Sequence, residues 1–159
     1  MSSSSPQTQP LPQPQGVILV DHGSRREESN QQLEEMVRVF ASAAETAGKF
    51  EIVEPAHMEL ASPSIADAFA NCVKRGAKSV IVFPYFLAPG RHWREDIPRL
   101  AAEAADGFPG IPFVVTAPLG PHPAMATIIH ERISDCLARQ VDPQRHCELC
   151  QHDPGCVAE

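Results

Sequence analysis

Two histidines stand where apolar sequence breaks into polar sequence. His22 lies in GVILVDHGSRR, residues Gly16 to Arg26, and His92 lies in VIVFPYFLAPGRHWREDIP, residues Val80 to Pro98. In both passages a run that reads as a buried strand gives way to a glycine-bearing turn and a cluster of charges. A neutral imidazole accepts a proton near neutral pH and binds borderline divalent metals such as iron, cobalt or nickel. If both rings reach one crevice, metal handling and proton abstraction are the chemistries they fit.

The neighbours of each histidine have two readings. After His22, Gly23 and Ser24 make a bend and a helix cap, a use that leaves the histidine unexplained. Ser24 and the following backbone N–H groups also form an anion-favouring helix start, strengthened by Arg25 and Arg26; the same arginines suit a solvated face. Around His92, Gly90 permits a sharp turn or a close approach to a ligand. Trp93 offers a flat apolar surface for a ligand, a core or an interface. Arg91 and Arg94 put cations beside the proposed pocket, whereas Asp96 reads as a residue of a helix start. His57 and Glu59, in EPAHMEL, follow another strand, where Glu59 relays protons, helps hold a metal or is an ordinary loop acid. His122 reads as a helix-entry residue and His130 as a structural one.

Bulk composition narrows the field. The 159 residues suit one domain, and 43% hydrophobic content allows a packed core. A formal charge of -7 argues against a nucleic-acid binder and makes any anionic ligand depend on local arginines. No apolar run approaches the ~20 residues that span a bilayer. Residues 1–15, MSSSSPQTQPLPQPQ, carry no charged side chain and are expected to be disordered, either as the remnant of a trimmed transit peptide or as a plain tail. The expected division is therefore a disordered segment at 1–15, a domain at 16–140 and a cysteine-rich tail at 141–159.

The elements that must position the histidines follow from periodicity. Val17 to Val20 is a strand. Leu33, Met36, Val37, Phe40 and Ala44 give the helix after it one apolar face, with Gly48 as a stop. Phe50 to Val53 is a second strand, and Ser62 is expected to cap a helix with Pro63 at its first position. Ile65, Ala68, Phe69, Cys72 and Val73 form that helix's buried stripe. Val80 to Phe83 is a third strand; the next helix turns Ile97, Leu100, Ala101 and Ala104 inward. Phe113 to Val115 is a fourth strand, and Pro123 opens a last helix with Met125, Ile128, Ile129, Ile133 and Leu137 inward. Four strand–helix alternations predict a three-layer α/β domain, its four-stranded, mainly parallel sheet covered by helices on both faces. In a 2-1-3-4 order the strand direction of winding reverses between strands 1 and 3, and ligands favour that point. His22 and His92 then flank one crevice. No Walker loop, G-x-G-x-x-G, H-E-x-x-H or G-x-S-x-G is present to support nucleotide binding or serine hydrolysis.

ILVDHGSR, ELASPSIADA and VFPYFLAPGRHWREDIP together resemble the small sirohydrochlorin chelatases, the CbiX/SirB family of class II chelatases, over roughly Gly16 to Leu137. One departure is Asp21, where the family often has a small residue; it puts an acid beside His22. The resemblance implies insertion of a divalent metal into a cyclic tetrapyrrole, with His22 and His92 as the catalytic, metal-handling pair and Glu59 as a weaker third ligand. Ser24, Arg25, Arg91 and Arg94 become candidates for the carboxylate-rich substrate. It also implies Fe2+ as the substrate metal, with cobalt insertion as the alternative and a non-catalytic metal or tetrapyrrole carrier as a different class. A homodimer is expected, because one small sheet covers only one face of a flat macrocycle.

Five cysteines and no secretory signal argue against a disulfide framework, and Cys72 reads as core. Cys147 and Cys150 form a C-x-x-C, with Cys156 beyond and Cys136 upstream. That spacing is compatible with an iron–sulfur cluster or zinc, or with free thiols in a tail. The plastid form of the family has a similar arrangement with a [2Fe-2S] centre, which implies the same cluster here and a place in the chloroplast stroma, or in the cytoplasm for a bacterial chain.

Overall fold

The computed structural model describes residues 10–43, 46–142 and 144. They fall into two compact units, Met1–Gly120 and Pro121–Glu159. The first holds four parallel strands, β1 (Gln15–Asp21), β2 (Ile52–His57), β3 (Ser79–Pro84) and β4 (Phe113–Val115), in the order β2-β1-β3-β4. The order under which His22 and His92 flank one crevice is the observed one. Helices α1 (Glu27–Ser42), α2 (Ile65–Lys74) and α3 (Ile97–Asp106) complete this unit, with a single π turn, His92–Asp96, before α3.

Strand alternation sorts the core into two layers. Ile18, Val20, Val80 and Val82 point to the face covered by α2 and α3, where they pack with Phe69, Cys72, Ile97 and Ala101. Val17 and Leu19 point to the other face and meet Leu33 and Met36 of α1. The sheet thus lies between helices on both faces, as the alternation predicts. The α1 face keeps an open apolar hollow of about 490 Å3, lined by Leu19, Met36, Phe40, Ile81, Phe83 and Leu119 among others.

Three boundaries differ from expectation for physical reasons. β2 runs on to His57 although it contains Pro55, because it is an edge strand and proline costs no ladder bond on the outer side. The cap of α2 is Ser64, not Ser62. The Ser64 hydroxyl accepts from the Asp67 N–H while Asp67 accepts from the Ser64 N–H, and the Pro63 carbonyl is taken by the His57 N–H of the neighbouring strand. α1 ends at Ser42, and Ala44 lies outside the described residues.

In the second unit α4 (Ala124–Val141) starts where Pro123 predicts. Its apolar stripe is not inward, however: Ile128, Ile129, Ile133 and Leu137 are all exposed, and Met125 is half-buried. Periodicity names a face that needs cover and does not name the cover. His130 is exposed too, while the His122 Nδ1 accepts from the Ala124 N–H, in keeping with a helix-entry role.

Candidate active site

His22 follows β1 and His92 follows β3, and their ring centroids are 5.2 Å apart in an edge-to-face arrangement with a 74° interplanar angle. Seventy residues of sequence separate them; two adjacent parallel strands ending at one edge bring them together. Both side chains are about half exposed, so the pair faces solvent.

The loop carrying His22 is built as a continuation of the sheet. Beyond the paired strands the Met58 N–H donates to the Asp21 carbonyl, and the Glu59 N–H donates to the His22 carbonyl at 3.1 Å. Gly23 adopts φ +85° and passes so close to the β2 loop that a Cβ there would lie 2.0 Å from the Glu59 carbonyl oxygen. This close approach sets Glu59 beside His22, with Oε1 2.9 Å from Nε2.

Asp21 does not serve His22. Its Oδ1 accepts from the Gly23 N–H at 2.9 Å and from His57 Nδ1 at 2.6 Å. His57 is buried at the end of β2, directly opposite Asp21 in the ladder, and its Nε2 has no partner among the described residues. A carboxylate only accepts, so Nδ1 carries a proton and Nε2 is the orphaned atom. The sequence placed an acid beside His22 and read His57 as a loop residue. The signal that pairs them is register: both are the last residue of adjacent parallel strands.

His92 opens the π turn, and its Nδ1 is 2.9 Å from Asp96 Oδ2. Trp93 is half-buried, and its Nε1–H donates to the Thr116 carbonyl at 2.9 Å, which fastens the turn to the segment after β4. Gly90 has no positive φ and nothing within 4 Å of a Cβ, so internal packing does not require glycine there. Asp96 makes no capping bond to α3.

Of the anion-binding candidates, Ser24 is engaged locally. Its N–H donates to Asn30 Oδ1 and its hydroxyl accepts from the Arg26 N–H; Arg26 stands at the N-cap of α1 without a side-chain cap. Glu27 and Glu28 occupy the first turn and offset the anion-favouring field there. Arg91 pairs with Glu95 at 3.1 Å on the surface, and Arg25 and Arg94 are exposed. Among the described residues no three His, Cys, Asp or Glu side chains form a ready-made metal cage. Cys136 is half-buried on α4, while Cys147, Cys150 and Cys156 lie outside the described residues. No described helix is long and apolar enough to cross a membrane.

A parallel sheet with two imidazoles and a carboxylate at its strand mouth defines an α/β protein of the chelatase type. Residues 16–136 match the CbiX family model, and the chain belongs to that family. It is 52% identical over 141 residues to the Arabidopsis thaliana protein named sirohydrochlorin ferrochelatase, chloroplastic, covering 89% of this chain and 61% of that one. It is 31% identical to the sirohydrochlorin cobaltochelatase of Methanopyrus kandleri, covering 78% of this chain and 98% of the relative. The solved structure of SirB from Bacillus subtilis with Fe3+ aligns at a TM-score of 0.66 and 26% identity, over 76% of this chain and 46% of that one. The chain thus spans less than two thirds of the Arabidopsis relative and under half of the Bacillus protein.

Proposed function

We propose that this chain inserts Fe2+ into sirohydrochlorin to give sirohaem, releasing two pyrrole protons to balance the metal's charge. The observation that carries this reading is the meeting of His22 and His92 at 5.2 Å, with Glu59 against His22, on the open edge of the sheet. Two imidazoles give a borderline cation donors that bind and release it. Glu59 accepts from the Nε2–H of neutral His22, which leaves the lone pair on Nδ1, and it stands where it can neutralise the imidazolium formed when that nitrogen takes a pyrrole proton; it is a third donor, through oxygen, if it turns towards the metal. Ser24, Arg25, Arg91 and Arg94 lie on the loops after β1 and β3, and we assign them to the substrate carboxylates; the exposed Arg25 and Arg94 are the freest to form bidentate forks.

The test is sirohaem formation from sirohydrochlorin and Fe2+ under anaerobic conditions. Wild-type protein should exceed the buffer rate, and His22→Ala and His92→Ala should each lose at least about 100-fold, the scale of a lost general base. Turnover no faster than buffer leaves only a carrier role. Full rate in either variant removes that histidine from the chemistry. Co2+ assayed beside Fe2+ separates iron from cobalt insertion, the reading favoured by the archaeal relative's name.

Three further parts of the proposal have their own support. A second copy closes the cleft over the other face of the macrocycle, which a four-stranded sheet edge cannot cover alone; sedimentation at micromolar concentration should give twice the 17.3 kDa chain mass. The C-x-x-C spacing of Cys147 and Cys150, with Cys136 and Cys156, supports a [2Fe-2S] centre, for which anaerobically purified protein should be coloured and contain iron and sulfide. The chloroplastic name of the Arabidopsis relative supports a plastid location, the stroma being the soluble compartment there.

A further inference from the structure

We infer that Asp96 is a positioning residue for His92: it fixes which ring nitrogen carries the proton and so which one is left with a lone pair. This rests on the reading of His92 as a metal-handling residue. His92 and Asp96 are four residues apart on one turn, a spacing that stacks side chains on the same helical face. The Asp96 Oδ2 is 2.9 Å from His92 Nδ1, and its other oxygen faces Arg99 Nη2 at 4.0 Å. Because the carboxylate only accepts, Nδ1 must be the N–H, and Nε2 carries the lone pair. A metal-binding histidine whose remote nitrogen donates to a carboxylate is oriented and made more basic by it.

The rest of the turn is arranged to keep this pair in place. The Ile97 N–H donates to the His92 carbonyl, the widened bond that defines the π turn, and Trp93 is tied to Thr116 one residue after His92. π turns of this kind concentrate at functional sites because the extra residue re-aims side chains. Asp96 makes no capping bond to α3, so its carboxylate has no helix-starting duty that would explain it otherwise. Its side chain is only 26% exposed, so the bond to His92 is partly shielded from water.

The full chain, labelled with 15N histidine, tests this with two readouts on wild type, Asp96→Ala, Asp96→Ser and Asp96→Asn. The 15N shifts of His92, assigned by loss of its signals in His92→Ala, report the tautomer; the metal readout is titration with Co2+. Wild type should show His92 as the Nδ1–H form. Alanine, and serine, which is too short to reach, should shift it towards the Nε2–H form and weaken Co2+ binding by about 10–100-fold. Asparagine keeps an acceptor oxygen and should restore the tautomer and most of the affinity. A tautomer and affinity unchanged in the alanine and serine variants overturns the assignment. If wild type binds no Co2+ while the tautomer still follows Asp96, the metal reading of His92 fails and the positioning role stands.

Discussion

Replacing Gly23 by alanine perturbs the point where the two site loops touch. The new Cβ would lie 2.0 Å from the Glu59 carbonyl oxygen and 3.1 Å from the His57 Cβ, and both neighbours resist movement because each belongs to, or continues, β2. At φ +85° any L side chain is also in the left-handed region, at about 1–2 kcal/mol. Relief requires the loops to separate by about 1 Å, well beyond what close-packed interiors absorb. That separation breaks the Glu59 N–H bond to the His22 carbonyl, worth about 1 kcal/mol, and opens the Glu59–His22 contact. The expected loss is on the order of 3 kcal/mol, read as a lowered midpoint in urea by circular dichroism, with Co2+ binding weakened in parallel. Gly90→Ala is the internal comparison, because nothing lies within 4 Å of its Cβ; it should change stability by less than about 0.5 kcal/mol. A Gly23→Ala protein as stable as Gly90→Ala, with Co2+ affinity intact, would refute the claim that loop contact sets the site.

Other perturbations have equally definite outcomes. Ser64→Ala removes the reciprocal cap of α2 and should cost about 1 kcal/mol by urea denaturation. The Ser64 hydroxyl, and then the Ser64 backbone N–H, hold the Asp67 carboxyl below its ordinary value of 3.8. Its contribution is therefore present above that value and lost as pH falls through the lower folded value, so the wild-type advantage over Ser64→Ala should shrink in acid below about pH 4; an advantage that grows in acid would contradict this. Burial, then the nearby Glu54 charge, pushes the Cys72 thiol up to about 12, so at pH 8 only about one molecule in ten thousand is thiolate. Alkylation mapped by mass spectrometry should spare Cys72 in folded protein and reach it in urea. His57→Ala should leave the partly buried Asp21 with one partner fewer and cost about 1–3 kcal/mol, measured by thermal unfolding.

What the sequence revealed, and what it hid, divides along the range of the interactions. Leu33 with Met36, and Ile65 with Phe69, announce buried helical faces through spacing alone, and the apolar runs at β1 and β3 announce strands covered on both sides. Once those elements alternate, few sheet orders remain, and the meeting of His22 with His92 follows from topology. The Asp21–His57 bond was hidden because it depends on the register between two strands, and the end of the second, expected at Val53, lies four residues on at His57. Asp96 was within reach of sequence reasoning, since four residues separate it from His92; its reading as a helix start obscured the pairing. Ser62 and Ser64 both precede the same helix, and the acid three residues after Ser64, Asp67, is the local signal that decides between them; Ser62 has Ile65 at that spacing. For α4 the stripe was legible and its fate was not, because amphipathicity is a property of one helix and burial is a property of two surfaces.

The oxygen of Asp21 that accepts from both Gly23 and His57 has a practical consequence for transplanting the site. The D-H-G-S-R turn is not a self-contained cassette, since its shape is held in part by an imidazole on the adjacent strand. Moved into another parallel sheet without a histidine at the matching rung, Asp21 would keep the Gly23 bond and lose its second donor. Any chimera or minimised scaffold should therefore exchange residues 21 and 57 as a unit.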